Sequence, residues 1–122
     1  MRSIHRALTA VAIGGLLMGY SAGLAPASAS PESSALIDDG IVELQNSQWQ
    51  KALGKFLSAS IADPKDAEAQ FFQGVALNRL GLHREALGQI ELARKAGVKN
   101  AEMDFEYGWA LLGSGQSAAA IA

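Results

Sequence analysis

The 122-residue chain is long enough for one small domain with short tails. Its 49% hydrophobic content and 18% charged content exclude a disordered polar tail, and a formal net charge of -2 offers none of the positive field on which nucleic-acid binding usually relies. Cysteine is absent, which excludes disulfides, thiolate metal sites, thiol nucleophiles and lipid-modified cysteine.

Residues 1–6 carry Arg2 and Arg6 and no acid, residues 7–24 are uncharged, and Ala25-Pro26-Ala27-Ser28-Ala29 follows. A basic start, an apolar middle and a small-residue site describe a secretory signal peptide over residues 1–29. The cut is expected after Ala29, with Ala27-Ser28-Ala29 as the recognised triplet, or else after Ala27. A retained membrane anchor is the alternative. It needs about 20 strongly apolar residues, whereas this stretch is diluted by Gly14, Gly15, Gly19 and Gly23 and no basic cluster follows it. Membrane contact is therefore expected only through an uncleaved signal segment or a C-terminal part beyond Ala122. No twin-arginine pair is present, which favours the general secretion route and a periplasmic or secreted location. Loss of Arg2 and Arg6 would leave eight bases against twelve acids. Residues 30–32 read as a short linker.

From there the chain repeats itself. A shift of 34 aligns Gly40, Gly74 and Gly108, and likewise Ala52, Ala86 and Ala120; Phe56 falls on Ile90, Ala59 on Ala93, Gly54 on Gly88 and Gly81 on Gly115. Such self-similarity divides the chain into units 33–66, 67–100 and a partial 101–122. Each unit reads as two helices. In the middle unit residues 68–80 carry apolar side chains at helical spacing, and Gly81 supplies the left-handed residue that closes the helix. The second helix spans residues 83–96 and ends at Gly97, with Arg94 and Lys95 in its last turn, where cations favour the helix dipole. Asp66 and Asn100 stand at N-cap positions, each followed by Ala-Glu. Gly74 and its equivalents predict close approach of the two helices of a unit. Gly54 and Gly88, inside second helices, predict either tight packing or simple drift.

These residues, Gly74, Leu77, Gly81, Ala86, Ile90 and Ala93 in the middle unit with Gly40, Ala52, Phe56, Ala59 and Pro64 in the first, resemble the tetratricopeptide repeat family across residues 33–122. The resemblance implies an all-α fold of antiparallel helix pairs stacked as a right-handed solenoid, about three repeats with the last incomplete. The positions that hold bulky Trp and Leu in that family are here Leu36 and Asp39, Gln70 and Gln73, and Asp104 and Tyr107. It also implies a concave groove lined by the first helix of each unit, where a protein or peptide partner binds. The matching residues are Ile37, Ile41 and Leu44; Phe71, Val75 and Asn78; and Phe105, Trp109 and Leu112. Their spacing of three or four puts each trio on one helical face, a stripe equally readable as core. A carboxylate clamp of Lys and Asn, known in some members, has only Asn78 and Arg79 to draw on.

Enzyme chemistry finds no foothold in the sequence. His83 is expected at an exposed helix start beside Arg84 and Glu85. Asp38 and Asp39 are adjacent on a helix, point apart, and read as early-helix acids. Zinc-ligand spacing, phosphate-cradling loops and nucleophile elbows are missing, so neither a cofactor nor a metal is expected. The third unit breaks off at Ala122, about a turn and a half into its second helix, and repeat arrays need roughly three units with polar caps. The expectation is a longer protein, or a chain completed by a partner's helix. Two functions follow: an exported interaction scaffold, or the N-terminal part of a larger cell-envelope protein for polysaccharide secretion or outer-membrane biogenesis.

Overall fold

The computed structural model describes residues 29–115. Five helices run through them: α1 Pro31–Gln45, α2 Trp49–Ala62, α3 Ala67–Arg79, α4 His83–Lys95 and α5 Met103–Gly113; no strand occurs among the described residues. Residues 1–28 of the signal peptide expected over residues 1–29, and the partial second helix expected to run to Ala122, lie outside the described residues. The fold is all-α, and each helix packs on the next in the chain. α1 also meets α3, and α3 also meets α5. The first helices of successive units therefore touch, a packing consistent with a helical repeat.

Helix ends follow local chemistry. Asp66 accepts the Glu68 N–H at 3.1 Å and caps α3 as expected. Asn100 accepts the Glu102 N–H at 3.1 Å, but α5 starts only at Met103, so this contact closes a turn ahead of the helix and does not cap it. Residues 30–32, expected as a linker, are part of α1: Ser30 Oγ accepts the Ser33 N–H at 3.1 Å, and Pro31 takes a first-turn position where its missing N–H costs nothing. Asp38 and Asp39 consequently sit in mid-helix and not in its first turn. Gly81 and Gly115 end α3 and α5 with φ of 80° and 87°, and Ser47, at the matching place one unit before Gly81, takes the same left-handed conformation after α1 with φ of 59°.

The core is one arrangement written twice. Ile37, Ala52, Phe56, Ala59, Ala69 and Ala76 form the first buried cluster. Phe71, Ala86, Ile90, Ala93, Met103 and Ala110, each a full repeat later, belong to the second together with Val75, Leu87 and Leu111. Leu44 and Phe72 pack against both clusters, and the Phe72 ring lies 5.3 Å from the rings of both Phe56 and Phe71. Full burial of a side chain the size of Phe56 or Ile90 contributes about 1.5–3 kcal/mol. The small residues bring the helix axes close enough for that burial. A Cβ on Gly40 would strike the Phe56 ring, and one on Gly74 would lie 2.5 Å from Ile90 Cγ1, the same contact displaced by one repeat.

Gly54 and Gly88 behave otherwise. Both face open space, with nothing near a would-be Cβ, so tight packing is not the reason for their recurrence. Two of the positions that hold large residues in the resembled family make polar contacts here. Gln73 is buried and its amide donates to Ser60 Oγ and, at 3.5 Å, to the Phe56 carbonyl, while at the matching place in the next unit Arg94 stacks 4.0 Å from the centre of the Tyr107 ring. On α1, Ala35, Asp38 and Val42 are exposed at the positions that on α3 are occupied by Ala69, Phe72 and Ala76.

Candidate protein-docking surface

The nine residues expected to line a groove do not share one environment. Ile37, Phe71, Val75 and Asn78 are buried, and Ile41 and Leu44 are half-buried against the core. α3 covers the α1 trio and α5 covers the α3 trio, so those six residues are packing residues and the continuous apolar groove is not formed by them. The physical reason is geometric: where first helices of successive units touch, the face that each presents is spent on its neighbour.

The α5 trio is different. Phe105 is 62% exposed and Leu112 55%, with Trp109 half-buried between them. With Asp104 and Gly108 they line an open depression of about 470 Å³ whose walls are apolar. Phe105 is the residue that register places with Ile37 and Phe71, which are 3% and 1% exposed. Of the nine residues expected in the groove, four are thus buried and two half-buried against the core, and the remaining three form one patch that no described helix covers.

A polar cluster behind the patch holds it in place. Asn78 Nδ2 donates to the Glu106 carbonyl at 3.0 Å and to Glu106 Oε1 at 2.9 Å, and Arg79 grips the same carboxylate through Nη1 at 3.2 Å and Nη2 at 3.0 Å. Glu106 is almost wholly buried, and burial of a carboxylate is tolerated when it is paired and hydrogen-bonded, as it is here. Asn78 Oδ1 then faces His83 Nδ1 at 2.9 Å. An amide oxygen only accepts, so the His83 proton sits on Nδ1. His83 is half-buried, not exposed as expected; Gly113 lies so close that a Cβ there would strike the imidazole. The Arg79 guanidinium lies 4.7 Å from the centre of the Trp109 ring and the His83 ring 5.8 Å from it, so the indole is braced by cation–π and ring contacts.

The sequence gives little warning of this cluster, because Asn78 and Arg79 come from one unit and Glu106 from the next. One signal was available. Asn78 and Glu106 occupy the register positions of Leu44 and Phe72, so two apolar residues are exchanged together for two polar ones. Among the described residues no three His, Asp or Glu side chains converge as metal ligands would, and no helix is long and apolar enough to cross a membrane. Asp39 lies 3.9 Å from Lys55 as an exposed pair of little energetic weight. No family model matches the sequence, and no curated protein matches it.

Proposed function

We propose that this chain is an exported scaffold of the tetratricopeptide type, whose partner is a protein that lays an α-helix on the face of α5. The observation that carries this reading is the exposure of Phe105 at a position where Ile37 and Phe71 are buried. The faces equivalent to it are each covered by a helix with a recognisable pattern. Ala69, Phe72 and Ala76 come down on the first, and Met103, Glu106 and Ala110 on the second. The last residue of each trio, Ala76 or Ala110, is short and lets the backbone approach, and a long side chain four positions before it fills the space, while the first position takes either Ala69 or Met103. Leu112 stands where Leu44 does, so the third face suits an apolar residue like Phe72 and not an acid. The partner is therefore a helix that carries a bulky apolar residue followed four positions later by a small one. The basic, apolar and small-residue order of residues 1–29 supports export, and the interaction role needs no catalytic residue or cofactor.

The test uses Trp109 emission in a Trp49→Phe background. A synthetic peptide with the sequence of residues 67–79 should shift the emission to shorter wavelength, with binding saturable. The same peptide with leucine in place of Ala76 should not, and Phe105→Asp should abolish the response. Equal binding of both peptides would end the reading.

The same exposed face also supports the second reading, the helical front of a larger cell-envelope export or assembly protein, with the covering helix supplied by sequence after Ala122. Intact mass of the native protein from its own cells separates the two, since a mass well above the 12.7 kDa of residues 1–122 would favour the longer protein.

A further inference from the structure

We infer that the amino terminus of the mature protein is Ser30 and that Asp63 binds its α-ammonium group. The inference rests on the export reading and adds to it a built-in receptor for the new end. Three contacts meet at Ser30. Its Oγ accepts the Ser33 N–H, its carbonyl accepts the Ser34 N–H at 2.9 Å, and its own N–H donates to Asp63 Oδ2 at 3.0 Å, from the far end of the first helix pair. The first two begin α1; the third ties that beginning to the end of α2.

Asp63 is prepared for the role. Its Oδ1 accepts the Lys65 N–H at 3.1 Å, which orients the carboxylate and leaves Oδ2 toward Ser30. The ion pairs among the described residues are Lys55–Asp39 and Arg79–Glu106, so no side-chain cation competes there for Asp63. The other charged groups at this corner are Glu32 in the first turn of α1, Lys65 beside Asp63, and Asp66, whose Oδ2 accepts the Ser33 hydroxyl at 2.6 Å. Three acids against one base offset the repulsion between an ammonium and the positive end of the α1 dipole.

Cleavage after Ala29 fits this geometry better than any neighbouring cut. Ala27 and Ala29 are the small residues that a leader peptidase needs. Water adds across the Ala29–Ser30 bond: its hydroxyl goes to the Ala29 carbonyl carbon and its proton to the Ser30 nitrogen. Proton exchange with solvent then leaves a carboxylate on the released leader and an ammonium on Ser30. One neutral N–H···O bond becomes a charge-assisted one from a group with three donors, and such bonds are shorter and stronger. A cut two residues earlier would leave Ser30 as an amide, and a cut one residue later would remove the cap of α1.

The whole 122-residue chain is expressed in a secreting bacterium, and the exported product is sequenced from its amino end. Uniformly ¹³C-labelled product is then titrated by NMR, following Ser30 Cα. The expected result is a sequence starting at Ser30 and an α-amino midpoint at least half a unit above its ordinary range of about 7.7–8.0. That elevation should vanish in Asp63→Asn, which keeps Oδ1 for Lys65. Because the folded midpoint is raised, the pairing stabilises fully below the unfolded value and its contribution is lost as pH rises through the folded one. A start at Ser28, or an ordinary midpoint in the unsubstituted protein, overturns the capture and leaves export standing. An uncut chain overturns both.

Discussion

Phe71 and Phe105 hold the same place in two successive helix pairs, yet one is buried in the core and the other stands 62% exposed. The difference lies in what is packed on top of each: α5 covers Phe71, and no described helix covers Phe105. Substitution should separate them. Phe71→Ala opens a cavity in a closed core and should cost about 3–5 kcal/mol, while Phe105→Ala should change stability by under about 0.5 kcal/mol. Urea unfolding followed by circular dichroism measures both, and a large loss at Phe105 would show that it is buried in solution.

The glycines divide in the same way. Gly74→Ala drives a methyl into Ile90 and should cost about 1–3 kcal/mol, with part of the loss recovered in the Gly74→Ala, Ile90→Ala pair relative to the sum of the single changes. Gly88→Ala and Gly54→Ala, both in mid-helix facing open space, should each stabilise by about 0.5–1 kcal/mol. Thermal unfolding of the five variants beside the parent reads the signs directly.

Ser47 supplies a third comparison. It adopts a left-handed conformation that its counterparts Gly81 and Gly115 reach without a Cβ. Ser47→Gly should raise stability by about 0.5–1 kcal/mol, and Gly81→Ser should lower it by about 1 kcal/mol. Equal midpoints for both variants and the parent would mean that the turn relaxes out of the left-handed region.

The Asn78–Glu106 pair invites a swap. Glu106→Phe alone leaves Arg79 without its carboxylate and Asn78 with only the backbone carbonyl of residue 106, and Asn78→Leu alone strips the carboxylate of a donor and His83 of its acceptor; each should cost about 1–3 kcal/mol. The double substitution restores the Leu44 and Phe72 combination found one unit earlier. It should recover part of the loss, because apolar packing replaces the buried hydrogen-bonded pair while Arg79, a quarter exposed, turns to solvent. A double-mutant cycle by denaturant unfolding gives the coupling, and strictly additive losses would refute it.

What was legible in the sequence is the part that repetition records. Gly74 with Gly40, and Ala86 with Ala52, are identical residues at one offset because identical contacts demand them, so the order of the helices and most of their ends could be read directly. Phe71 and Phe105 are also identical, and there the sequence misleads: one apolar stripe serves equally for core and for surface, and only the presence of the next helix decides. Gly54 and Gly88 mislead in the opposite way, recurring with no contact to require it. The start of α1 was hidden because Ser30 and Pro31 abut the expected cleavage site. His83 looked exposed because its partners, Asn78, Trp109 and Gly113, come from both sides of it in the chain.

The two ends of the described array are not complementary. If a second copy stacked its α1 on the first copy's α5, in the register used inside the chain, Asp38 would take the place that Glu106 fills within it. Glu106 meets Asn78 and Arg79; Asp38 would meet Leu112 and Gly113, neither able to bond it. Dehydrating an unpaired carboxylate opposes that step by several kcal/mol. Head-to-tail stacking of the described helices in that register is therefore disfavoured, and with it the open fibres to which such contacts otherwise lead.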